Sequence, residues 1–387
     1  MINFNYSIPT KIFFGRDKID VLPKELKNYG TKVLLVYGGG SIKKSGLYDQ
    51  VVGILETSDI CFWELSGVEP NPRIESVRKG IDLCRENKIE LVLAVGGGIT
   101  IDCAKVIAAG VEYQGDAWDI VLDSRKIGRV LPIASILTLA ATGSEMDSGA
   151  VISNPETNEK LGTGHKDMTP KFSILDPTYT FSVPKNQTAA GTVDMMSHIF
   201  EVYFSNTDEA YVQNRMAEAL LKTCIHYGQI AIDEPENYEA RANLMWTSSL
   251  AINGLLSYGK TTEWTVHLME HELSAYYDIT HGVGLAILTP KWMEYALNDA
   301  TVNKFAEYGV NVWGLEPQGE KYEVAHQAIK MTGEFFASLG MPSKLQEVGI
   351  KEDNFEAMAK HATVNGKIGD FKPLEAQDVQ NIYKAAL

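Results

Sequence analysis

The chain has 387 residues, 45% of them apolar and 22% charged, which suits a globular protein of two or three domains whose core is large enough to need no disulfides. Its formal net charge is −15. That acidity argues against a phosphate-backbone partner, which needs a basic face, and against an anionic membrane surface. A nucleotide cofactor needs only a local pocket of backbone N–H groups and is not excluded.

The first residues, MINFNYSIPTKIFFG, hold no basic region followed by an apolar run, so no secretory signal is predicted. Apolar and aromatic residues alternate with polar ones from Asn3 to Phe14 (Phe4, Tyr6, Ile8, then Ile12 and Phe14). This predicts a strand that pairs within its own chain or with a second subunit, and the second option predicts a homodimer. Lys32 to Tyr37 is a near-continuous apolar run that ends at Gly38-Gly39-Gly40. Glu90 to Val95 is another, and it ends at Gly96-Gly97-Gly98. Such runs suit parallel strands covered on both faces. Helical segments are predicted from Ile42 to Leu55 and from Ile101 to Ala109. An amphipathic stretch lies between them, from Asn71 to Arg85. A third strand is predicted from Val130 to Ile136, with Pro132 near its start. The repeated strand-glycine-helix order predicts an open, mostly parallel sheet with helices on its faces, of Rossmann-like α/β type.

The pattern changes near Pro184. Long helical segments follow at Ala189 to Ser205, Ala210 to Ala231, Tyr238 to Ser257, Thr262 to Tyr276 and Tyr322 to Leu339. The chain therefore reads as an α/β domain over 1–184 and an all-helical domain over 185–387. The most apolar stretch, Leu131 to Ala141, is too short to span a bilayer. Cys61, Cys84, Cys103 and Cys224 are scattered, with no CxxC pair. They predict reduced, mostly buried thiols and a cytoplasmic protein.

One constellation in the helical half has metal-ligand character. Asp194 and His198 are four apart, so on a helix both project from one face. His267 and His271 repeat that spacing, and His281 follows in a loop with Gly282 and Gly284, which would let the chain turn closely around a site. The spacing leaves open which histidines bind, because His271 could replace any of the other three. One carboxylate and three imidazoles suit Fe2+, Zn2+, Co2+, Ni2+ or Mn2+, with positions left for a substrate oxygen. His165, His226, His326 and His361 have no such company and read as structural or surface residues.

A second constellation concerns an anion. Neither glycine run is a GxGxxG fingerprint, and no GxxxxGK[ST] occurs. Glycines at a strand-to-helix turn still permit close backbone approach and aim N–H groups at a phosphate. The polar cluster Thr138-Leu139-Ala140-Ala141-Thr142-Gly143-Ser144-Glu145 follows the third strand and offers small hydroxyls, or a plain helix cap.

Together these clusters resemble the iron-containing (group III) alcohol dehydrogenase family, in its butanol dehydrogenase and broad-range aldehyde reductase branch. The resemblance covers essentially the whole chain. It rests on Tyr37-Gly38-Gly39-Gly40-Ser41, Gly67-Val68-Glu69-Pro70-Asn71-Pro72, Ala141-Thr142-Gly143-Ser144-Glu145, Glu239-Ala240-Arg241-Ala242-Asn243 and the stretch from Trp264 to Gly284. It implies that Asp194, His198, His267 and His281 hold one divalent metal, Fe2+ first, with Zn2+, Co2+ or Ni2+ as alternatives. His271 matches a residue that assists proton transfer instead of binding metal. The resemblance further implies that Gly97 and Gly98 take the pyrophosphate of NADH or NADPH. Asp102 and Lys160 would lie near the nicotinamide half. Thr138, Leu139, Thr142 and Ser144 would line the same cleft, with Gly38, Gly39, Gly40, Ser41, Asn71 and Tyr179 towards the adenosine.

Two positions depart from the family pattern. Ile99 stands where a serine is usual after the second glycine run, and Thr100 comes next. Gly38 stands where NAD-preferring relatives carry an acid, so a 2′-phosphate is not repelled and NADPH should be accepted; Lys43 and Lys44 could attract it. The implied reaction passes hydride between the nicotinamide and a short aldehyde or primary alcohol, with butanal and butanol as the first pair. A lyase of the dehydroquinate-synthase type is the rival, and it would need a basic pocket that this chain does not advertise.

Overall fold

The computed structural model describes all 387 residues. Eight strands and fifteen helices form in the order β1 (Lys11–Phe14), α1 (Leu22–Lys27), β2 (Lys32–Tyr37), α2 (Ser41–Lys44), α3 (Leu47–Thr57), β3 (Cys61–Leu65), α4 (Ile74–Asn87), β4 (Leu91–Gly96), α5 (Gly98–Gly110), α6 (Ala117–Leu122), β5 (Ile133–Leu137), β6 (Gly149–Asn154), β7 (Glu159–Gly164) and β8 (Phe172–Leu175). Nine helices follow: α7 (Lys185–Tyr203), α8 (Tyr211–Asp233), α9 (Tyr238–Ile252), α10 (Thr265–Tyr277), α11 (His281–Ala296), α12 (Val302–Asn311), α13 (Lys321–Ser338), α14 (Phe355–Ala362) and α15 (Ala376–Ala385).

The chain divides into two compact units. One contains residues 7–183 and 236–249, and the other contains residues 1–6, 184–235 and 250–387. A single cut after residue 184 would therefore misplace two short segments. Residues 236–249 go with the sheet because Met245 is part of its core, Trp246 packs edge-on to Phe14 at 5.9 Å and Arg16 lies 4.2 Å over the Tyr238 ring. Residues 1–6 go with the helices because Ile2 N–H donates to the Gly259 carbonyl at 2.9 Å and Tyr6 packs edge-on to Tyr258 at 5.0 Å.

The sheet unit is built on six strands in the order β1-β8-β5-β4-β2-β3, all parallel. β2 and β4 are buried because helices cover both faces of the sheet, which is why their sequences are nearly unbroken apolar runs. Leu34, Val36, Val92 and Ala94 pack on one face, while Val33, Leu35, Leu93 and Val95 pack on the other. A separate antiparallel hairpin, β6–β7, follows β5.

Several expected elements are shifted. Of the stretch from Asn3 to Phe14, only Lys11–Phe14 is a strand, and it pairs with β8 of its own chain. The expected helix from Ile42 to Leu55 is two helices, because Gly46 sits in the left-handed region at φ 82° and breaks the run. β5 starts at Ile133 because Pro132 has no N–H to donate; its carbonyl accepts from Val92 N–H at 3.0 Å. β3, β8 and the β6–β7 hairpin carry no strong periodic signal, and β3 is a half-exposed edge strand.

The helical unit is centred on α7. Every residue of α7 from Thr188 to Tyr203 is buried, so this helix is covered on all sides. It starts at Lys185 because Pro184 accepts from Gln187 and Thr188 at the first turn. α11 lies against it. Gly282 and Gly284 are therefore not a turn around a site, as their sequence suggested; both are inside α11 and let neighbouring groups approach. A Cβ on Gly282 would stand 2.7 Å from the Ala190 carbonyl carbon, and one on Gly284 would stand 2.6 Å from Glu270 Cγ. His281 is not in a loop either, because it opens α11.

Alanine is ordinarily favoured over glycine inside a helix by about 1 kcal/mol. Here the contact with Ala190 reverses that preference. Gly282→Ala should destabilise the protein by about 1–3 kcal/mol, the usual cost of overpacking. Guanidinium unfolding of the metal-free protein measures this, and a raised midpoint would contradict the packing argument.

Candidate functional site

Three titratable residues on α7 share one face at i, i+4 and i+7: Asp194, His198 and Glu201. All are buried, at 3%, 5% and 2% exposure. α10 brings His267 to them, and α11 brings His281 at its first residue. His267 Nε2 lies 3.9 Å from Asp194 Oδ1, His281 Nε2 lies 3.7 Å from the same atom and His198 Nδ1 lies 3.7 Å from it. The His198 and His267 rings stack with centroids 4.7 Å apart.

These separations are too long for hydrogen bonds. Asp194 Oδ1, His198 Nδ1 and His267 Nε2 are buried without any hydrogen-bond partner. Buried polar atoms are normally satisfied, and three convergent orphans need an explanation. Ligands about 2.1 Å from one cation stand roughly 3–4 Å apart, which matches what is seen. One ligand atom each from Asp194, His267 and His281 lies within 4.8 Å of the others. The donor set is one carboxylate and neutral imidazoles, suited to a borderline divalent cation. The residues fit a metal ion.

His271 lies one turn after His267 on α10. Its ring centroid is 6.4 Å from that of His267 and 5.6 Å from that of His281. It is outside the Asp194 group and falls with Glu270 and His281 in a second cluster. Trp264 stands at the start of α10 at φ 55°, a strained conformation for a bulky residue. Its ring packs edge-on to His267 at 5.2 Å and His198 at 5.9 Å.

The sequence reading passed over Glu201 and Glu270. Glu201 Oε1 accepts from His267 Nδ1–H at 2.9 Å. Glu270 Oε2 is paired with His281 Nδ1. Their signal was present, since each glutamate lies three residues after a histidine of the constellation, in His198-x-x-Glu201 and His267-x-x-Glu270. His361, read as lacking company, is paired with Glu272 at 2.7 Å.

Charges set the protonation of this cluster. Burial pushes the Asp194 carboxyl up, but His198, His267 and His281 outweigh that and hold it at about 2. Burial pushes His198 down to about 4. His267 is also disfavoured as a cation by burial, yet Asp194 and Glu201 together raise it to about 9.

The sheet unit gathers most of the expected cofactor residues. Strand order reverses between β2 and β4, since β2 leads outward to β3 and β4 returns on its other side. Ligands of open α/β sheets bind at such a switch point, beyond the carboxyl ends of the strands. Gly38, Gly39, Gly40 and Ser41 follow β2 there, and Gly97 and Gly98 follow β4. A Cβ on Gly39 or Gly40 would meet nothing within 4 Å. A Cβ on Gly97 would stand 3.1 Å from Leu139 Cβ, and one on Gly98 would collide with Thr142. Gly97 and Gly98 therefore let the loop after β5 close onto the start of α5, while Gly39 and Gly40 border open space.

The remaining residues fall into four groups. Thr138 N–H donates to the Gly96 carbonyl at 3.0 Å. Asp102 accepts from Ser144 Oγ at 2.6 Å and from Val151 N–H at 2.9 Å. Burial pushes the Asp102 carboxyl up to about 6 against the pull of Lys105 and Ser144. Lys160 and Asn71 are joined through the hairpin, because Lys160 is the register partner of Ser153 and Ser153 N–H donates to the Pro72 carbonyl at 2.8 Å. Tyr179 is held by a different element, a short turn after β8, and packs on the core of the other sheet face.

Two departures can now be located. Ile99 packs against the core, and Thr100 lies between the two glycine turns with its hydroxyl against Gly96. Lys43 is exposed and carries two aromatic contacts. It lies over the Tyr37 and Tyr48 rings at 5.1 and 4.5 Å, and both tyrosines donate to Glu64, at 2.5 and 2.9 Å. The sequence reading missed Glu64 as an acidic residue close to the end of β2.

Comparison with known proteins gives a consistent result. Residues 9–177 match the family profile described as iron-containing alcohol dehydrogenase, and residues 188–387 match its C-terminal counterpart. NADH-dependent butanol dehydrogenase B of Clostridium acetobutylicum is 66% identical over the full length of both chains. The NADPH-dependent aldehyde reductase YqhD of Escherichia coli is 38% identical, again over both full lengths. Among solved structures, that of NADH-dependent butanol dehydrogenase A from Thermotoga maritima has a TM-score of 0.95 at 40% identity, covering 100% of this chain and 99% of that one.

Loading a metal must displace the proton that His267 holds up to about 9. Zn2+ affinity should therefore strengthen about tenfold per pH unit from pH 7 to 9 and level off above. The sign for stability is opposite. In the metal-free protein, the contribution of His267 is fully present below its ordinary value near 6.5 and is lost as pH rises through about 9. Chelator competition across pH 6–10 measures the first effect, and a flat profile would contradict it.

Proposed function

Because the chain belongs to the iron-containing alcohol dehydrogenase family, we propose that it interconverts short aldehydes and primary alcohols, butanal and butanol first among them, oxidising NADH or NADPH in reduction and regenerating it in the reverse direction. The observation that carries this is the convergence of Asp194 Oδ1, His198 Nδ1 and His267 Nε2 as buried, unpartnered ligand atoms in a member of this family. Asp194, His198, His267 and His281 would hold one divalent cation, Fe2+ first. A cation held there supplies Lewis acidity that polarises a carbonyl.

The protein's own groups supply the rest. The sheet unit binds the dinucleotide, and the helical unit binds the metal. Backbone N–H groups at Gly97 and Gly98, at the start of α5, receive the pyrophosphate. Gly38, Gly39, Gly40, Ser41, Asn71 and Tyr179 serve the adenosine side. Asp102, Thr138, Leu139, Thr142, Ser144 and Lys160 serve the nicotinamide side. The nicotinamide supplies the hydride. His271, half-buried beside His281, delivers the proton in reduction and removes it in oxidation.

NADH is the preferred form in this reading, with NADPH accepted. Two relatives at 66% identity are NADH-dependent butanol dehydrogenases. Lys43 lies over the Tyr37 and Tyr48 rings, whose hydroxyls donate to Glu64, so this acidic neighbour opposes a 2′-phosphate there. The chain further reads as a cytoplasmic homodimer. Its four cysteines are unbonded, three of them buried. Met1, Ile2, Phe4 and Tyr6 at its start are more than 40% exposed, as are Tyr211 and Val212 at the start of α8, and clustered exposed apolar residues favour a partner surface. No helix is long and apolar enough to cross a membrane.

The test is an assay of metal-stripped protein, reloaded with Fe2+, Zn2+ or Co2+, with butanal and either NADH or NADPH. Reloading should restore cofactor oxidation. Asp194→Ala and His267→Ala should lose the metal and turnover together. Turnover by metal-free protein would overturn the reading. His271→Ala should keep its metal and change the pH profile; full activity with an unchanged profile would remove its role.

A further inference from the structure

We propose that Glu201 and Glu270 are positioning residues for the metal centre, each fixing a histidine of a later helix and not the one on its own. The proposal rests on reading Asp194, His198, His267 and His281 as one centre.

The geometry forms a relay along the chain. α7 carries His198-x-x-Glu201, and Glu201 takes the Nδ1–H of His267 on α10 at 2.9 Å. α10 carries His267-x-x-Glu270, and Glu270 takes the Nδ1 side of His281 on α11. An ionised carboxylate can only accept. In the neutral ring, each pairing therefore places the proton on Nδ1 and leaves Nε2 as the lone pair turned towards Asp194. His198 differs, because it turns Nδ1 and not Nε2 towards Asp194 Oδ1, at 3.7 Å, so the Nδ1–carboxylate tie of the other two is not repeated there.

Glu201 does more than orient a ring. Its Oε2 accepts from Thr265 N–H at 2.9 Å, and its Oε1 accepts from His267 N–H at 3.0 Å. Its own carbonyl accepts from Glu263 N–H at 2.9 Å. The first N–H groups of a helix need partners, and Trp264, at the N-cap of α10, offers no side-chain cap. A single carboxylate from α7 thus fixes both the backbone and the ring of His267. Glu270 has a second tie, because Ser274 Oγ donates to its other oxygen.

A plain helix cap is the competing explanation for Glu201. It predicts lost stability and an unchanged metal site. Glu201→Gln separates the two readings. Glutamine keeps the shape but has one acceptor oxygen, which cannot serve Thr265 N–H and the His267 donors together. Its amide N–H₂ then faces either Thr265 N–H or the two His267 donors, so one tie to α10 breaks in either orientation and the negative charge behind the His267 ring is lost.

The experiment titrates Co2+ into metal-free wild type, Glu201→Gln and Glu270→Gln. It reads affinity by chelator competition and geometry by the visible Co2+ absorption bands. Each variant should bind Co2+ about 10–100-fold more weakly than wild type, the usual loss when the carboxylate behind a metal-bound histidine is removed. Its bands should also shift. Wild-type affinity and wild-type bands in Glu201→Gln overturn the proposal for Glu201, and the same result in Glu270→Gln overturns it for Glu270. Should Glu201→Gln fail to fold, Glu270→Gln carries the test alone. Failure of the wild type to bind Co2+ overturns the metal reading beneath the proposal, which is a distinct outcome.

Discussion

The helical unit depends on keeping one carboxylate, Asp194, charged in a dry interior. Removing an ion from water costs several kcal/mol unless charges and hydrogen bonds compensate. Asp194 lies mid-way along a helix buried on every side and is itself only 3% exposed, so bulk solvent supplies little of that compensation. The three imidazoles do so, and much of the surrounding architecture brings them near. Gly282 lets α11 come close enough to α7 to present His281. The left-handed backbone at Trp264 starts α10 where His267 can face α7. Glu201 holds that start in place. None of these features would be favoured by local propensity alone, and each is explained by the demands of the buried acid.

The sheet unit raises a different question, which is why glycines follow both β2 and β4. Its two glycine turns look alike in sequence and act differently. After β4, glycine is required by the chain itself, because Leu139 and Thr142 occupy the space a Cβ would need. After β2, nothing in the chain crowds Gly39 or Gly40. The first turn is a packing necessity that also opens a helix N-terminus, and the second borders open space. Below the first turn, Asp102 ties α5 to the loop after β5 and to the hairpin strand β6, so the loop carrying Thr142 and Ser144 has a fixed floor.

Much of this was legible in the sequence, for physical reasons that can be named. Strands β2 and β4 announce themselves because burial on both faces demands unbroken apolar runs. The i, i+4 spacing of Asp194 and His198 is readable because a helix repeats every 3.6 residues. Legibility fails where tertiary contact decides. Gly282 and Gly284 read as a turn, since close helix packing and chain reversal both select glycine. Gly46 splits a helix that periodicity alone would run through. Lys43 reads as a free cation because its partners, Tyr37, Tyr48 and Glu64, come from β2, α3 and β3. The carboxylates behind the histidines were visible as a repeated His-x-x-Glu, but their pairing crosses from one helix to the next, and no linear spacing encodes that. His271 remained interchangeable with the other histidines by spacing, and only the resemblance gave it a separate task.

The position of Trp264 has a further consequence. Its indole meets the faces and edges of two imidazoles that converge on Asp194, and it is one of only six tryptophans in the chain. Proton and cation occupancy of those imidazoles both alter the electric field at the ring, and a paramagnetic ion a few ångströms away quenches an excited indole. A cation held at the proposed centre would therefore alter the emission of an indole that the fold already places beside it, without any added dye.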